Sequence, residues 1–93
     1  MKQVWKYIIE SGDFKSQLTY DIPIGGKIIY VDEQFGNICI WVEVDITKET
    51  EKRSFVVYGT GHNIKVCNNK KHVGSVKLNK GALIFHVYER IKG

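Results

Sequence analysis

KIIYVDEQFGNICIWVEVD, residues 27–45, is the stretch on which the fold turns. Its second arm, Asn37 to Asp45, alternates: Ile38, Ile40, Val42 and Val44 fall on one side, Cys39, Trp41 and Glu43 on the other. A period of two belongs to a strand, because successive side chains of an extended chain point to opposite faces. The aliphatic set must therefore face a core. Trp41 then lies either under a second layer or on an open face, as a contact residue. The first arm, Lys27 to Glu33, is rich in β-branched residues, and Gln34-Phe35-Gly36 joins the two. Together they read as a β-hairpin.

Working outward, the same alternation recurs. Val4 to Glu10 reads as a strand with Trp5, Tyr7 and Ile9 on one face, and Ser11-Gly12-Asp13 as a turn. Gln17 to Ile22 is a second, shorter strand, ended by Pro23 and Gly25-Gly26. Thr47 to Lys52 is a polar connection before a strand over Lys52 to Tyr58. Val66 to Lys70 reads as an irregular loop. His72 to Leu78 and Ala82 to Arg90 form a last hairpin around Asn79-Lys80-Gly81, where glycine suits a positive φ. Apolar spacing of three and four never persists beyond two turns, so no helix is expected. Six or seven short strands in 93 residues imply one all-β domain over residues 1–93, an antiparallel sandwich or partly open barrel.

Composition narrows the function classes. No run approaches the roughly 20 apolar residues that span a bilayer as a helix, and no membrane partner is expected. The opening residues carry no apolar core before Glu10 and Asp13, so they do not read as a secretory signal, and a cytoplasm is the expected compartment. Cys39 and Cys67 then stand as free thiols, Cys39 acting as a small hydrophobe in its strand. The net charge of +4 conceals an asymmetry: residues 1–50 carry five Lys/Arg against eight Asp/Glu, and residues 51–93 nine against two. Such a basic half attracts nucleotides, nucleic acid or an acidic partner, unless it is only a solvated surface.

The motif with most chemical content is Tyr58-Gly59-Thr60-Gly61-His62. Two glycines let backbone N–H groups approach a ligand closely, Thr60 adds a hydroxyl, and His62 can donate, accept or titrate. Neither a Walker loop nor a dinucleotide fingerprint is complete, since each needs further residues and a following helix. A turn or bulge closing the strand is the plainer reading from spacing alone. His62, His72 and His86 lack metal-ligand spacing, so no metal and no cofactor are expected. His86, on a face with Ala82, Ile84 and Tyr88, reads as a hydrogen-bonded structural histidine. No nucleophile elbow or catalytic triad can be read, so no catalytic residue is assigned and the chain is expected not to be an enzyme.

Taken together, the motifs Trp5-Lys6-Tyr7, Ile40-Trp41, Thr50-Glu51-Lys52-Arg53, Tyr58 to His62, Gly74-Ser75-Val76-Lys77-Leu78 and Gly81 to Glu89 make the chain resemble a family of small bacteriophage and prophage proteins. The match covers nearly the whole length. It departs after His62, where the family pattern is His-Pro-Ile-Pro and this chain has His62-Asn63-Ile64-Lys65. The resemblance implies a phage origin and brings no activity with it.

By analogy with small β-rich counter-defence proteins, the expected function is non-enzymatic sequestration of a nucleotide-derived immune signal, of the cyclic ADP-ribose or cyclic dinucleotide type. The expected ligand-binding residues are Trp41 as a base platform with Arg53, Tyr58, Gly59, Thr60, Gly61 and His62, in a homo-oligomer. The alternatives are an inhibitor that grips nucleic acid or a host protein by its basic face, and a small nucleotide-processing enzyme using His62.

Overall fold

The computed structural model describes residues 1–9, 18–61, 63–64, 69–78, 81 and 83–91. It holds seven strands: β1 (Lys2–Ile9), β2 (Leu18–Pro23), β3 (Lys27–Gln34), β4 (Asn37–Asp45), β5 (Thr50–Gly59), β6 (Lys70–Leu78) and β7 (Leu83–Arg90). They form two antiparallel sheets, a three-stranded one in the order β1-β4-β3 and a four-stranded one in the order β2-β5-β7-β6. The architecture is a sandwich and not a closed barrel.

The alternation in β4 sets the layers. Ile38, Ile40 and Val42 are wholly buried and Val44 nearly so, facing Phe55 and Val57 of β5, Val76 and Leu78 of β6, and Phe85 and Val87 of β7. Each aliphatic side chain so buried contributes about 1.5–3 kcal/mol. Two sets of polar bonds tie the sheets across this core. At one place Tyr7 Oη donates to the Asp21 carbonyl at 3.2 Å and Tyr20 Oη to the Ile8 carbonyl at 2.7 Å. Elsewhere Arg53 of β5 reaches the Gly26 carbonyl in the turn before β3.

Several expectations meet corrections. The β3–β4 hairpin turns on two residues, Phe35 and Gly36, both at positive φ (52° and 80°). That is the twist a two-residue antiparallel hairpin needs, although Phe35 supplies it without glycine's freedom. Strand β5 begins at Thr50, because Thr50, Glu51 and Lys52 pair with Pro23, Ile22 and Asp21. Polarity there marks a half-exposed edge and not a connection. Lys70 opens β6, whereas residues 66–68 of the expected loop lie outside the described residues, as do the Ser11-Gly12-Asp13 turn, Cys67, Asn79 and Lys80. Gly81 has the positive φ expected of it, 87°. Cys39 is a buried free thiol, and burial raises its pKa.

Candidate functional site

The four-stranded sheet turns Phe55, Val57, Phe85 and Val87 to the core, so Tyr58, Thr60, His86 and Tyr88 face away from it. Strand β6 joins them through an irregularity. His72 pairs with Tyr88 but Gly74 pairs with Val87, leaving Val73 as an extra residue. Such a bulge moves a side chain across the sheet. Without it His72 and Ser75, three positions apart, would lie on opposite faces. With it both lie on the outer face, beside Tyr88 and His86.

There the side chains form one hydrogen-bonded chain. Thr60 Oγ1 is 3.0 Å from His86 Nε2, Ser75 Oγ is 2.7 Å from His86 Nδ1, and His72 Nε2 is 3.1 Å from Ser75 Oγ. Thr60 Oγ1 also lies 3.2 Å from the Ile84 carbonyl oxygen. The direction of each bond follows from what its atoms can do. A carbonyl only accepts, so the Thr60 hydroxyl donates to Ile84 and accepts from His86 Nε2–H. In a neutral imidazole Nδ1 is then the acceptor, and Ser75 donates to it. The Ser75 oxygen in turn accepts from His72 Nε2–H. Every polar atom named has a partner and no proton is left over.

Aromatic rings border the chain. Tyr88 meets His72 edge-on at 5.2 Å and Tyr58 edge-on at 5.7 Å, and the Lys70 ammonium sits 5.4 Å from the centroid of the Tyr58 ring. Tyr58 is buried, Tyr88 and His86 half-buried, and His72, Ser75 and Thr60 exposed. The face therefore offers π surfaces, two imidazoles, two hydroxyls and a cation within one patch. Among the described residues no group of three or more His, Cys, Asp and Glu is placed to hold a metal ion.

The residues expected to bind ligand are divided among three places. Tyr58, Gly59, Thr60 and Gly61 belong to the end of β5 and the turn after it, next to the hydrogen-bonded chain; His62 lies outside the described residues. Gly61 has φ +89°, and a Cβ built there would meet nothing within 4 Å, so backbone conformation and not crowding calls for glycine. Trp41 faces away from the core on the three-stranded sheet, half-buried beside Tyr30 at 5.4 Å. That is the other side of the sandwich, so Trp41 is no base platform for the β5 turn within one chain.

Arg53 is placed in a third position, on the inward face of the four-stranded sheet. Its Nε and Nη2 donate to the two oxygens of Glu89 at 2.5 and 2.8 Å, and its Nη1 to Gly26. The hydrogen bond to Glu89 raises the Arg53 pKa. The guanidinium thus bridges the sheets and is not held out to a phosphate.

Sequence reasoning missed His72, Ser75 and Tyr88, and took His86 as structural. His86 is indeed hydrogen-bonded, but as the middle of a chain. Three of the motifs that carry the resemblance meet here: Tyr58 to Gly61 at the end of β5 and the turn after it, Gly74 to Leu78 in β6, and Leu83 to Glu89 in β7. Thr60, Ser75 and His86, one from each, are joined by hydrogen bonds.

Fold and face define a small antiparallel β-sandwich whose larger sheet presents a polar, aromatic-bordered outer surface. The chain belongs to the family described as Domain of unknown function (DUF7352), whose model matches residues 1–93. No curated protein and no solved structure matches it.

Proposed function

We propose that this chain is a non-enzymatic binding protein for a nucleotide-like anion, held on the outer face of the four-stranded sheet. The observation that carries the reading is the hydrogen-bonded chain Thr60–His86–Ser75–His72 bordered by Tyr88, Tyr58 and Lys70. Hydroxyls and imidazoles that already bond one another can exchange a bond for a phosphate oxygen at small cost. Tyr88 and His72 offer faces and edges for a base. The resemblance to phage proteins supports a counter-defence role, sequestering a cyclic ADP-ribose-type or cyclic dinucleotide signal in the host bacterial cytoplasm, with the chain acting as a homo-oligomer. A Ser75 hydroxyl donating to His86 is also the contact that a nucleophile makes with its base, so the state in which the ligand is recovered separates binding from processing.

Native mass spectrometry against a panel of cyclic dinucleotides and ADP-ribose derivatives tests this directly. One member should shift the mass, raise Tm and be recovered intact from denatured complex. Ser75→Ala and His86→Ala should weaken it by 10-fold or more. A panel with no binder sinks the reading, and recovery of an altered ligand replaces it with an enzyme.

A further inference from the structure

The two sheets end in four edge strands, β1 and β3 in the smaller and β2 and β6 in the larger. An edge strand holds out a row of N–H and C=O groups on which another strand can pair. Three of the four are blunted. Strand β3 bulges between Ile28 and Tyr30, β6 bulges at Val73, and β2 is six residues long and ends in Pro23. Strand β1 is different: its eight residues pair with β4 in one unbroken register, with no proline among them.

The phase of the β1–β4 ladder says which groups are held out. The Ile46 N–H donates to the Met1 carbonyl at 3.0 Å, one step beyond the Lys2–Asp45 pair. Hydrogen-bonded and non-hydrogen-bonded pairs alternate along an antiparallel ladder. Gln3, Trp5, Tyr7 and Ile9 therefore bond to β4, whereas the N–H and C=O groups of Lys2, Val4, Lys6 and Ile8 point to the open side. The Ile8 carbonyl confirms the phase, since it accepts from Tyr20 Oη of the other sheet, and that bond closes the edge at one end. Lys2 and Lys6 do not guard the rest. Lys2 Nζ lies 3.6 Å from Glu43 of β4 and Lys6 Nζ donates to Gln34 of β3 at 2.6 Å, so both head groups are drawn back over the smaller sheet. Val4 and Trp5, 51% and 37% exposed, stand at the middle of the edge, one on each face of the strand.

We infer that β1 pairs antiparallel with β1 of a second copy of this chain, joining two smaller sheets into one in the order β3-β4-β1-β1-β4-β3. A strand that meets itself across a two-fold axis has few registers, and charge selects among them. Centred on Val4, Lys2 stands against the partner's Lys6; centred on Lys6, that residue meets its own copy. Like charges directly opposite one another are unfavourable. Centred on Trp5, Val4 stands against the partner's Lys6 and Lys2 against the partner's Ile8, so no lysine faces a lysine. Val4 and Lys6 then exchange backbone bonds with the partner's Lys6 and Val4, and the two Trp5 rings form a cross-strand aromatic pair. This gives the homo-oligomer proposed above its interface, and no step of it rests on the ligand.

Sedimentation velocity of the full chain, without ligand and up to roughly 100 μM, is the test. The parent should sediment at twice the mass of one chain. Val4→Pro removes an N–H that β4 does not use, so the far-UV spectrum should be kept while the dimer weakens by at least about 10-fold. Val4→Lys should weaken it comparably by opposing the partner's Lys6, whereas Val4→Glu should not, because the same neighbour then attracts it. On mild oxidation Trp5→Cys should give a disulfide-linked dimer well above the parent's level, since the Trp5-centred register sets that position against itself. Ser75→Ala should leave the dimer as in the parent, so failure here and failure of ligand binding on the outer face are read separately. A chain that stays monomeric at roughly 100 μM overturns the inference and leaves the edge to a strand of another protein. A dimer that both Val4→Pro and Val4→Lys leave intact overturns it too, because another surface then holds the copies together. Trp5→Cys cross-linking no better than Val4→Cys overturns the register.

Discussion

Arg53–Glu89 and Thr60–His86–Ser75–His72 are polar groupings on opposite faces of the four-stranded sheet. The first points inward, is mostly out of water, and ties β5 to β7 and to the turn before β3. The second points outward, and three of its four members are exposed. Both are hydrogen-bonded, but the consequences differ with burial. A charge removed from the inward pair leaves its partner unsolvated, whereas a group removed from the outward chain leaves partners that water can reach. Hydrogen bonding alone does not distinguish a structural group from a functional one. The cost of breaking it does.

The largest effect should therefore come from Arg53→Ala. It leaves the Glu89 carboxylate in a site with little access to water and removes the bridge to Gly26. On the order of 3 kcal/mol of stability should be lost, read as a lower urea midpoint with unchanged slope. Replacing both partners together, Arg53→Met with Glu89→Leu, should recover part of that loss, because no orphaned charge remains. A loss in Arg53→Ala below about 1 kcal/mol would class the pair with ordinary surface ion pairs and erase the contrast.

Ser75→Ala is the matching test on the other face. The chain breaks in the middle, yet water replaces the lost partner, so stability should fall by less than about 1 kcal/mol. The readout that moves is the imidazole. In the parent, Thr60 and Ser75 together fix His86 as the Nε2–H tautomer. Without Ser75 the Nδ1 lone pair has no protein donor, and the ¹⁵N shifts of the ring should report a mixture of tautomers. A His86 ring unchanged in Ser75→Ala would mean that the chain does not act as a unit.

The two groupings also differ in how far the sequence displays them. The strands of the sandwich are written in period two, and Ile38, Ile40, Val42 and Val44 could be placed in the core from that period alone. The bidentate pair joins residues 36 apart in sequence, and no local pattern connects Arg53 to Glu89. The outward chain is hidden differently. A strict period sends His72 and Ser75 to opposite faces, and only the extra residue at Val73 brings them together. One trace of it exists, Gly74 inside an otherwise regular strand. A Cβ there would stand 3.0 Å from Val31 of the facing sheet, so glycine permits the close approach of β6 to β3. The Gly-Thr-Gly-His turn was legible as a place of interest, but its partners were not, because they come from two other strands.

The smallest effect calibrates the comparison at a site where both burial and bridging are lacking. Asp45 ends β4 and is solvated. Hydrogen bonds from the Thr47 hydroxyl and backbone N–H, with help from the terminal ammonium, hold its carboxyl down at about 2. Its folded pKa thus lies below its unfolded value of about 4. The contribution is present in full above about pH 4 and drains away as the pH falls toward 2, since only then does the folded carboxylate take up its proton. Asp45→Asn should accordingly lower Tm slightly at pH 7 and much less at pH 2, so that the two melting curves converge on acidification. For Arg53→Ala the gap at pH 7 should be several times wider. Equal gaps at pH 7 would show that an exposed carboxylate with three donors matters as much as an inward ion pair, and burial would cease to be what separates the two faces of the sheet.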